Sequence, residues 1–269
     1  MYKISEIWIY PVKSLGGIRL SEALAERRGL QHDRRWMLVD EAGQFLTQRE
    51  VPEMALLQPA IGTDNLTVRH SRYPDQTVRI PLDISGMPPE KTRVKVWSNS
   101  VSALIMPSGI NHWFSEMLGT QARLVYMPDT SRRRTDGRYT PSGQLVSFAD
   151  GFPYLIIGAE ALEELNRKLA DPVPMNRFRP NFVFAGGNPH DEDRWSDIRI
   201  GEQPFRCVKP CARCVMITTD QMTAQKSAEP LKTLSQYRKR GNKVLFGQNM
   251  IWTGSEPAHV REGDILLAG

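Results

Sequence analysis

Cys207-Val208-Lys209-Pro210-Cys211-Ala212-Arg213-Cys214, continued by Val215-Met216-Ile217-Thr218-Thr219-Asp220, holds all three cysteines of a 269-residue chain. An iron–sulfur loop, a zinc site and a single working thiol would each set this stretch in a different fold. A lysine and an arginine lie inside it, a proline precedes its second cysteine, and a β-branched run follows its third. A thiol near fixed positive charge is more easily held as thiolate, the form that attacks electrophiles or binds soft metals. Its surroundings decide what that thiolate serves.

Those surroundings read as short strands. Ile7 and Ile9 alternate with Trp8 and Tyr10 up to Pro11, and the basic, glycine-bearing turn Val12-Lys13-Ser14-Leu15-Gly16-Gly17 follows. Arg34 to Asp40 is expected to pair with Phe45 to Arg49 through the turn around Gly43. Further strands are expected at Asn65 to Val68, Gln76 to Pro81, Arg93 to Trp97, Arg123 to Met127, Phe152 to Ile157 and Asn181 to Ala185. Ile198 to Glu202 and Val260 to Asp264 each read as strand, tight turn, strand. Helical periodicity is confined to three places. Asn111 to Leu118 carries a stripe of Ile110, Trp113, Phe114 and Met117. Ala159 to Leu169 carries Leu162, Leu165 and Leu169 and stops at Asp171-Pro172. A short helix begins at Pro230. More than ten strands against three helices, without βα alternation, predict a β-rich α+β protein, barrel-like with a few covering helices.

Length allows one large domain or two smaller ones with ample core. Composition is that of a globular chain: 40% hydrophobic and 24% charged, with a mean hydropathy of −0.41. No apolar run approaches a membrane span, and Met1-Tyr2-Lys3-Ile4-Ser5-Glu6 lacks the features of a secretory signal, so a cytoplasmic protein without membrane attachment is expected. A net charge of +5 suits an anionic ligand but not an extended nucleic-acid face. The polar stretch 128–146, with Arg132, Arg133 and Arg134, reads as a solvated loop or as a lid over an anionic site.

The cysteine spacing matches the cluster-binding loop of radical SAM enzymes, but that loop lies early in a repeated βα barrel, and here the cysteines come late in a β-rich chain. A structural zinc site wants four ligands, and His32, His70, His112, His190 and His259 supply no paired partner. A different resemblance fits. Pro210-Cys211-Ala212-Arg213-Cys214 with Ile217-Thr218-Thr219, then Glu229-Pro230-Leu231-Lys232-Thr233-Leu234 with Tyr237-Arg238, then Phe246-Gly247-Gln248-Asn249, resembles the MOSC domain. The branch it resembles holds the mitochondrial amidoxime reducing component and bacterial relatives that detoxify N-hydroxylated bases. Ile9-Tyr10-Pro11-Val12-Lys13-Ser14, Asp33-Arg34-Arg35-Trp36-Met37-Leu38-Val39, Thr47-Gln48-Arg49-Glu50 with Pro52, Ser147-Phe148-Ala149-Asp150 and Phe178-Arg179-Pro180-Asn181 are similar to further blocks of that branch, in order.

The resemblance implies a MOSC N-terminal domain over residues 1–120, with β/α character, and a MOSC β-barrel over 121–269. It implies a molybdenum cofactor, a Mo-pyranopterin, with Cys214 as the molybdenum ligand; Cys211 is then a supporting thiol and Cys207 packs in a strand. Lys13, Ser14, Arg34, Arg179, Asn181, Arg213 and Asn249 match positions expected to hold the cofactor, and Asp150 is the acid expected near the metal. Independently of family, charge-assisted hydrogen bonds contribute roughly 1.5–3 kcal/mol each, and arginine grips planar anions through its fork. Asn249 stands where mitochondrial members have tyrosine and Gln48 where they have alanine, departures that bear on substrate fit. Pyridoxal phosphate binding is implied only as a generic attribution of MOSC domains.

The implied activity is reduction of N-hydroxylated compounds: hydroxylamines, amidoximes and N-hydroxylated purines. The chain reaches Ala268-Gly269 without the cysteines of the ferredoxin-like domain that some bacterial relatives carry, so a separate flavin or iron–sulfur protein is expected to deliver electrons. Arg132 to Arg134 are expected to steer an acidic donor. The alternatives are a sulfur carrier or cofactor-handling protein with a persulfide on Cys214, and a binding module without a redox role.

Overall fold

The computed structural model describes residues 1–86 and 90–269. Its largest unit is a closed ring of seven strands. In order around the ring these are Tyr154–Gly158, Phe182–Ala185, Tyr2–Ile9, Ile265–Ala268, Asp197–Ile200, Gln203–Arg213 and Lys243–Trp252, which returns to Tyr154–Gly158. Only Tyr154–Gly158 and Phe182–Ala185 run parallel. The helix Ala159–Asn166 lies on the connection between them, because two parallel neighbours need a crossover where antiparallel ones need only a turn.

Period-two alternation explains both sides of the ring. Tyr154, Ile156, Phe182, Phe184, Phe205, Cys207, Met250 and Trp252 share one buried cluster with Ile4 and Ile7. The intervening Leu155, Ile157, Val183 and Phe246 instead pack with Ala161, Leu165, Phe178 and Leu234. Strands buried on both faces read as unbroken apolar runs, which is the pattern of Tyr154 to Ile157. Gly247 allows the ring to close here. Its φ is +80°, and a Cβ would lie 2.8 Å from the backbone oxygen of Ile156.

The remainder of the first half forms a separate core. Trp36–Val39, Arg123–Tyr126, Asn99–Ile105 and Glu90–Val96 make one antiparallel sheet, and Leu57–Ile61, Asn65–His70 and Tyr73–Pro81 another. The helix Ser108–Leu118 lies between them, with Ile110, Trp113, Phe114 and Leu118 buried against Trp36, Leu66, Val68 and Ile80. Gly119, left-handed at φ 61°, ends it.

Two expectations need correction. The strand Trp36–Val39 pairs with Arg123–Tyr126, not with Phe45 to Arg49; of that hairpin only the Val39–Phe45 bridge forms. The chain leaves the sheet after Phe45 because Gln48 is fully buried and its amide must be satisfied; Nε2 donates to Ser14 O at 2.7 Å. The second helix ends at Asn166, short of Leu169. The Asn166 side chain there accepts from Val173 N at 2.9 Å and donates to Val173 O at 3.0 Å, closing a loop where the helix would have continued.

Candidate functional site

Cys214 is the first residue beyond the strand Gln203–Arg213 and precedes a 3-10 turn over Val215–Thr218. Two register shifts against Lys243–Trp252, between Cys207 and Lys209 and between Pro210 and Ala212, break the alternation of that strand. Cys207 packs inside the barrel, where burial pushes its thiol up to about 12. Cys211 and Cys214 instead line a cleft of about 260 Å³. Cys211 is half-buried, and burial raises its pKa; Cys214 is exposed.

All the residues expected to bind cofactor or act in catalysis line this one cleft: Lys13, Ser14, Arg34, Asp150, Arg179, Asn181, Arg213, Cys214 and Asn249. They come from segments more than two hundred residues apart. Arg49, Arg177 and Lys209 line it too, so seven cationic side chains face a single carboxylate, Asp150. Such a wall draws an anion strongly at close range.

The arginines are held from behind. Arg34 Nη1 donates to both oxygens of buried Asp33, at 2.8 and 2.7 Å, and Nη2 to Arg179 O at 3.1 Å. Arg179 Nη1 donates to Leu15 O at 2.6 Å. Both guanidinium carbons lie over the Tyr10 ring, at 4.3 and 4.2 Å from its centroid. Arg213 Nε donates to Phe246 O at 2.8 Å and Nη1 to Phe178 O at 2.9 Å. After these bonds the Nη2 groups of Arg179 and Arg213 remain buried without a partner among the described residues. Buried donors are normally satisfied, so two unspent guanidinium nitrogens on cleft-lining residues fit a bound anion. Burial, with Arg34 beside it, lowers the Arg179 pKa to about 10.

The backbone carries the same signature. Among the described residues seven non-glycine positions have positive φ, and Ser14 (69°), Arg34 (49°) and Arg179 (55°) are three of them. Left-handed backbone at residues of this size is strained and gathers at functional sites. Asn181 and Asn249 reach the cleft while their amides brace the frame: Asn181 bonds to Leu155 N and Trp8 O, and Asn249 Nδ2 donates to Lys209 O at 3.1 Å.

Lys13 Nζ donates to Phe148 O at 2.9 Å and to Asp150 Oδ1 at 2.5 Å. Burial lowers its pKa to about 8, and Asp150 offsets only part of that. Enclosure by the cleft walls would favour the neutral acid at Asp150, but Lys13, Arg49 and Trp97 outweigh it and hold the carboxyl well below the usual range. Lys13 therefore loses its charge as pH rises through about 8. Binding of inorganic pyrophosphate, followed by calorimetry, is expected to weaken about 10-fold more between pH 7 and pH 9 than in Lys13→Arg, whose charge persists.

Two neighbours stand outside the set of site residues expected from the sequence. Arg133 is 4% exposed. It donates to the carbonyls of Ser147, Ala149 and Asp150 and to Asn99 Oδ1, and so fixes the loop that carries Asp150. The expectation of a solvated side chain fails at this residue, because three carbonyls left open by the loop need its guanidinium. Arg49 occupies the cleft wall with Nη1 3.9 Å from Cys214 Sγ. The Thr47-Gln48-Arg49-Glu50 block is its only signal in the sequence.

Among the described residues no helix is long and apolar enough to cross a membrane. Comparison with known proteins finds the MOSC N-terminal beta barrel domain over residues 1–121 and the MOSC domain over residues 143–266. The chain is 30% identical to mitochondrial amidoxime-reducing component 1 of Mus musculus, covering 99% of this chain and 82% of that one. Against the Homo sapiens protein of that name the figures are 29%, 99% and 83%. It is 33% identical to molybdenum cofactor sulfurase of Arabidopsis thaliana over 91% of this chain, but it spans only 32% of the sulfurase.

Proposed function

Because the chain belongs to the MOSC-domain family, with a MOSC N-terminal beta barrel domain ahead of the MOSC domain, we propose that it is a molybdenum-cofactor-dependent reductase of N-hydroxylated compounds. The observation that carries this reading is the cation-lined cleft with an exposed cysteine sulfur in its wall and two buried guanidinium nitrogens left unpaired. A thiolate is a soft donor suited to molybdenum, and binding the metal removes its proton. Cys214 would hold the metal. Arg213, Arg179, Arg34, Lys13 and Ser14 would hold the pyranopterin and its phosphate, with Asn181 and Asn249 bracing the walls.

When bound, the cofactor supplies the two-electron redox chemistry. The reaction consumes two electrons and two protons: R–NHOH + 2e⁻ + 2H⁺ gives R–NH₂ + H₂O. The N–O bond breaks, and its oxygen leaves as water. The chain's own residues orient the substrate and manage its protons. Asp150, kept ionised beside Lys13, accepts hydrogen bonds from the substrate's N–H or O–H groups, and the Lys13 ammonium is a proton source inside the cleft. A separate flavin or iron–sulfur protein supplies the electrons.

A second reading is supported by the exposure of Cys214, by Arg49 beside its sulfur and by the similarity to a cofactor sulfurase: Cys214 carries a persulfide. One preparation separates the two. Protein made in a molybdate-replete host should contain close to one molybdenum per chain and convert benzamidoxime to benzamidine with reduced viologen as donor. Protein that holds cyanide-releasable sulfur and leaves benzamidoxime unchanged would give the site to sulfur transfer.

A further inference from the structure

The hairpin of Glu90–Val96 and Asn99–Ile105 turns through Trp97 and Ser98, since Val96 pairs directly with Asn99. Trp97 takes the first turn position with φ 55°, a conformation that glycine, asparagine or aspartate adopts with least strain. A tryptophan there needs another reason, and its surroundings supply one. The indole is 49% exposed, outside the core. It reaches the rim of the cleft, where Nε1–H donates to Asp150 Oδ1 at 3.3 Å. Arg49 Cζ lies 4.6 Å from its ring, and the Phe45 ring 5.1 Å away. Arg49 in turn reaches Cys214 Sγ, so the indole is one side chain removed from the sulfur.

Asp150 completes this wall. Its Oδ1 takes both the Lys13 ammonium and the Trp97 indole N–H, while among the described residues Oδ2 accepts nothing. The side chain is 67% exposed. An ionised carboxylate oxygen with open lone pairs thus stands beside an exposed aromatic surface, within one residue's reach of the sulfur.

We propose that Trp97 and Asp150 Oδ2 form the substrate-recognition wall of the cleft. This wall favours a substrate with a flat conjugated face and an N–H donor over a small substrate without such a face. The inference rests on the reductase reading of the same cleft. A planar conjugated substrate stacks on the indole, and its amino group donates to Oδ2 in a charge-assisted hydrogen bond. Trp97 is therefore a specificity-determining residue.

The test uses molybdenum-loaded protein and two substrates, benzamidoxime and unsubstituted hydroxylamine. In Trp97→Ala the ratio of kcat/KM for benzamidoxime to that for hydroxylamine should fall about 10-fold, mainly through KM for benzamidoxime, the most that one stacking contact accounts for. Trp97→Phe, which keeps a flat face, should recover most of that ratio. Asp150→Asn should likewise raise KM for benzamidoxime about 10-fold, the loss of one hydrogen bond to a charged group. An unchanged ratio in Trp97→Ala with molybdenum retained overturns the proposal. If the wild type reduces neither substrate, the reductase reading is lost. Binding then still decides the wall: benzamidoxime must quench the fluorescence that Trp97→Phe lacks, and no such quenching refutes it.

Discussion

Protein carrying Cys214→Ala is expected to be purified with less than about a tenth of the wild-type molybdenum, since losing even a supporting group costs 10–100-fold in metal affinity, and to lose benzamidoxime reduction with it. The position makes this a clean experiment. Cys214 is exposed and lies just past the end of its strand, so shortening its side chain should change stability by no more than about 0.5 kcal/mol. Cys207 is the internal control. It is buried in the barrel cluster, and Cys207→Ala should cost on the order of 1 kcal/mol of stability while keeping the metal. Denaturation and metal content therefore move in opposite ways for two cysteines seven residues apart. Full molybdenum in Cys214→Ala would remove this sulfur as the ligand.

Asp33→Ala is expected to be the most damaging single change to the fold around the cleft, lowering stability by about 3–5 kcal/mol and the melting temperature by about 8–15 °C. The Asp33 side chain is fully buried. It accepts from Tyr10 N at 2.8 Å, and both its oxygens accept from Arg34 Nη1. Burial pushes its pKa up, and Arg34 beside it pulls it back. Removing it strands the Arg34 guanidinium against the Tyr10 ring with one carbonyl as its remaining partner. Asp33→Asn should cost less, because the amide oxygen still receives Tyr10 N–H. Urea denaturation of the three proteins gives the ranking, and pyrophosphate affinity should fall in the same order as Arg34 loses its anchor. An Asp33→Ala protein as stable as the wild type would show that the pair contributes nothing.

The elements most legible in the sequence are those whose burial is periodic. Alternation at Ile7 and Ile9 marks the strand Tyr2–Ile9, and the stripe at Ile110, Trp113 and Phe114 marks the helix Ser108–Leu118. Strand partners were less legible, because pairing joins distant segments: Trp36–Val39 reads as half of a local hairpin, yet its partner lies at Arg123–Tyr126. The candidate site was legible only as ordered blocks resembling a family. Nothing in the local pattern brings Lys13 to Asp150, 137 residues on. Arg133 and Trp97 escaped for opposite reasons. Arg133 sits in an arginine run that looks solvated, and the carbonyls that bury it come from residues 147–150. Trp97 continues an alternating strand by pattern, and only the backbone turn shows that it leaves the sheet for the cleft.

The place of the strand Tyr2–Ile9 in the ring has a consequence for synthesis. It sits between Phe182–Ala185 and Ile265–Ala268, so this strand must wait on the ribosome for partners made far later. Until then Ile18–Leu20, opposite Ile7–Ile9, is the early partner it can pair with, and the edge that will meet Phe182–Ala185 invites pairing with other nascent chains. The sheets that end at Arg123–Tyr126 can form while the barrel is still incomplete. Closure comes last and joins strands from widely separated parts of the sequence. The slow step of folding, and the time of greatest need for a chaperone, therefore fall at the barrel seam, once Ile265–Ala268 has been made.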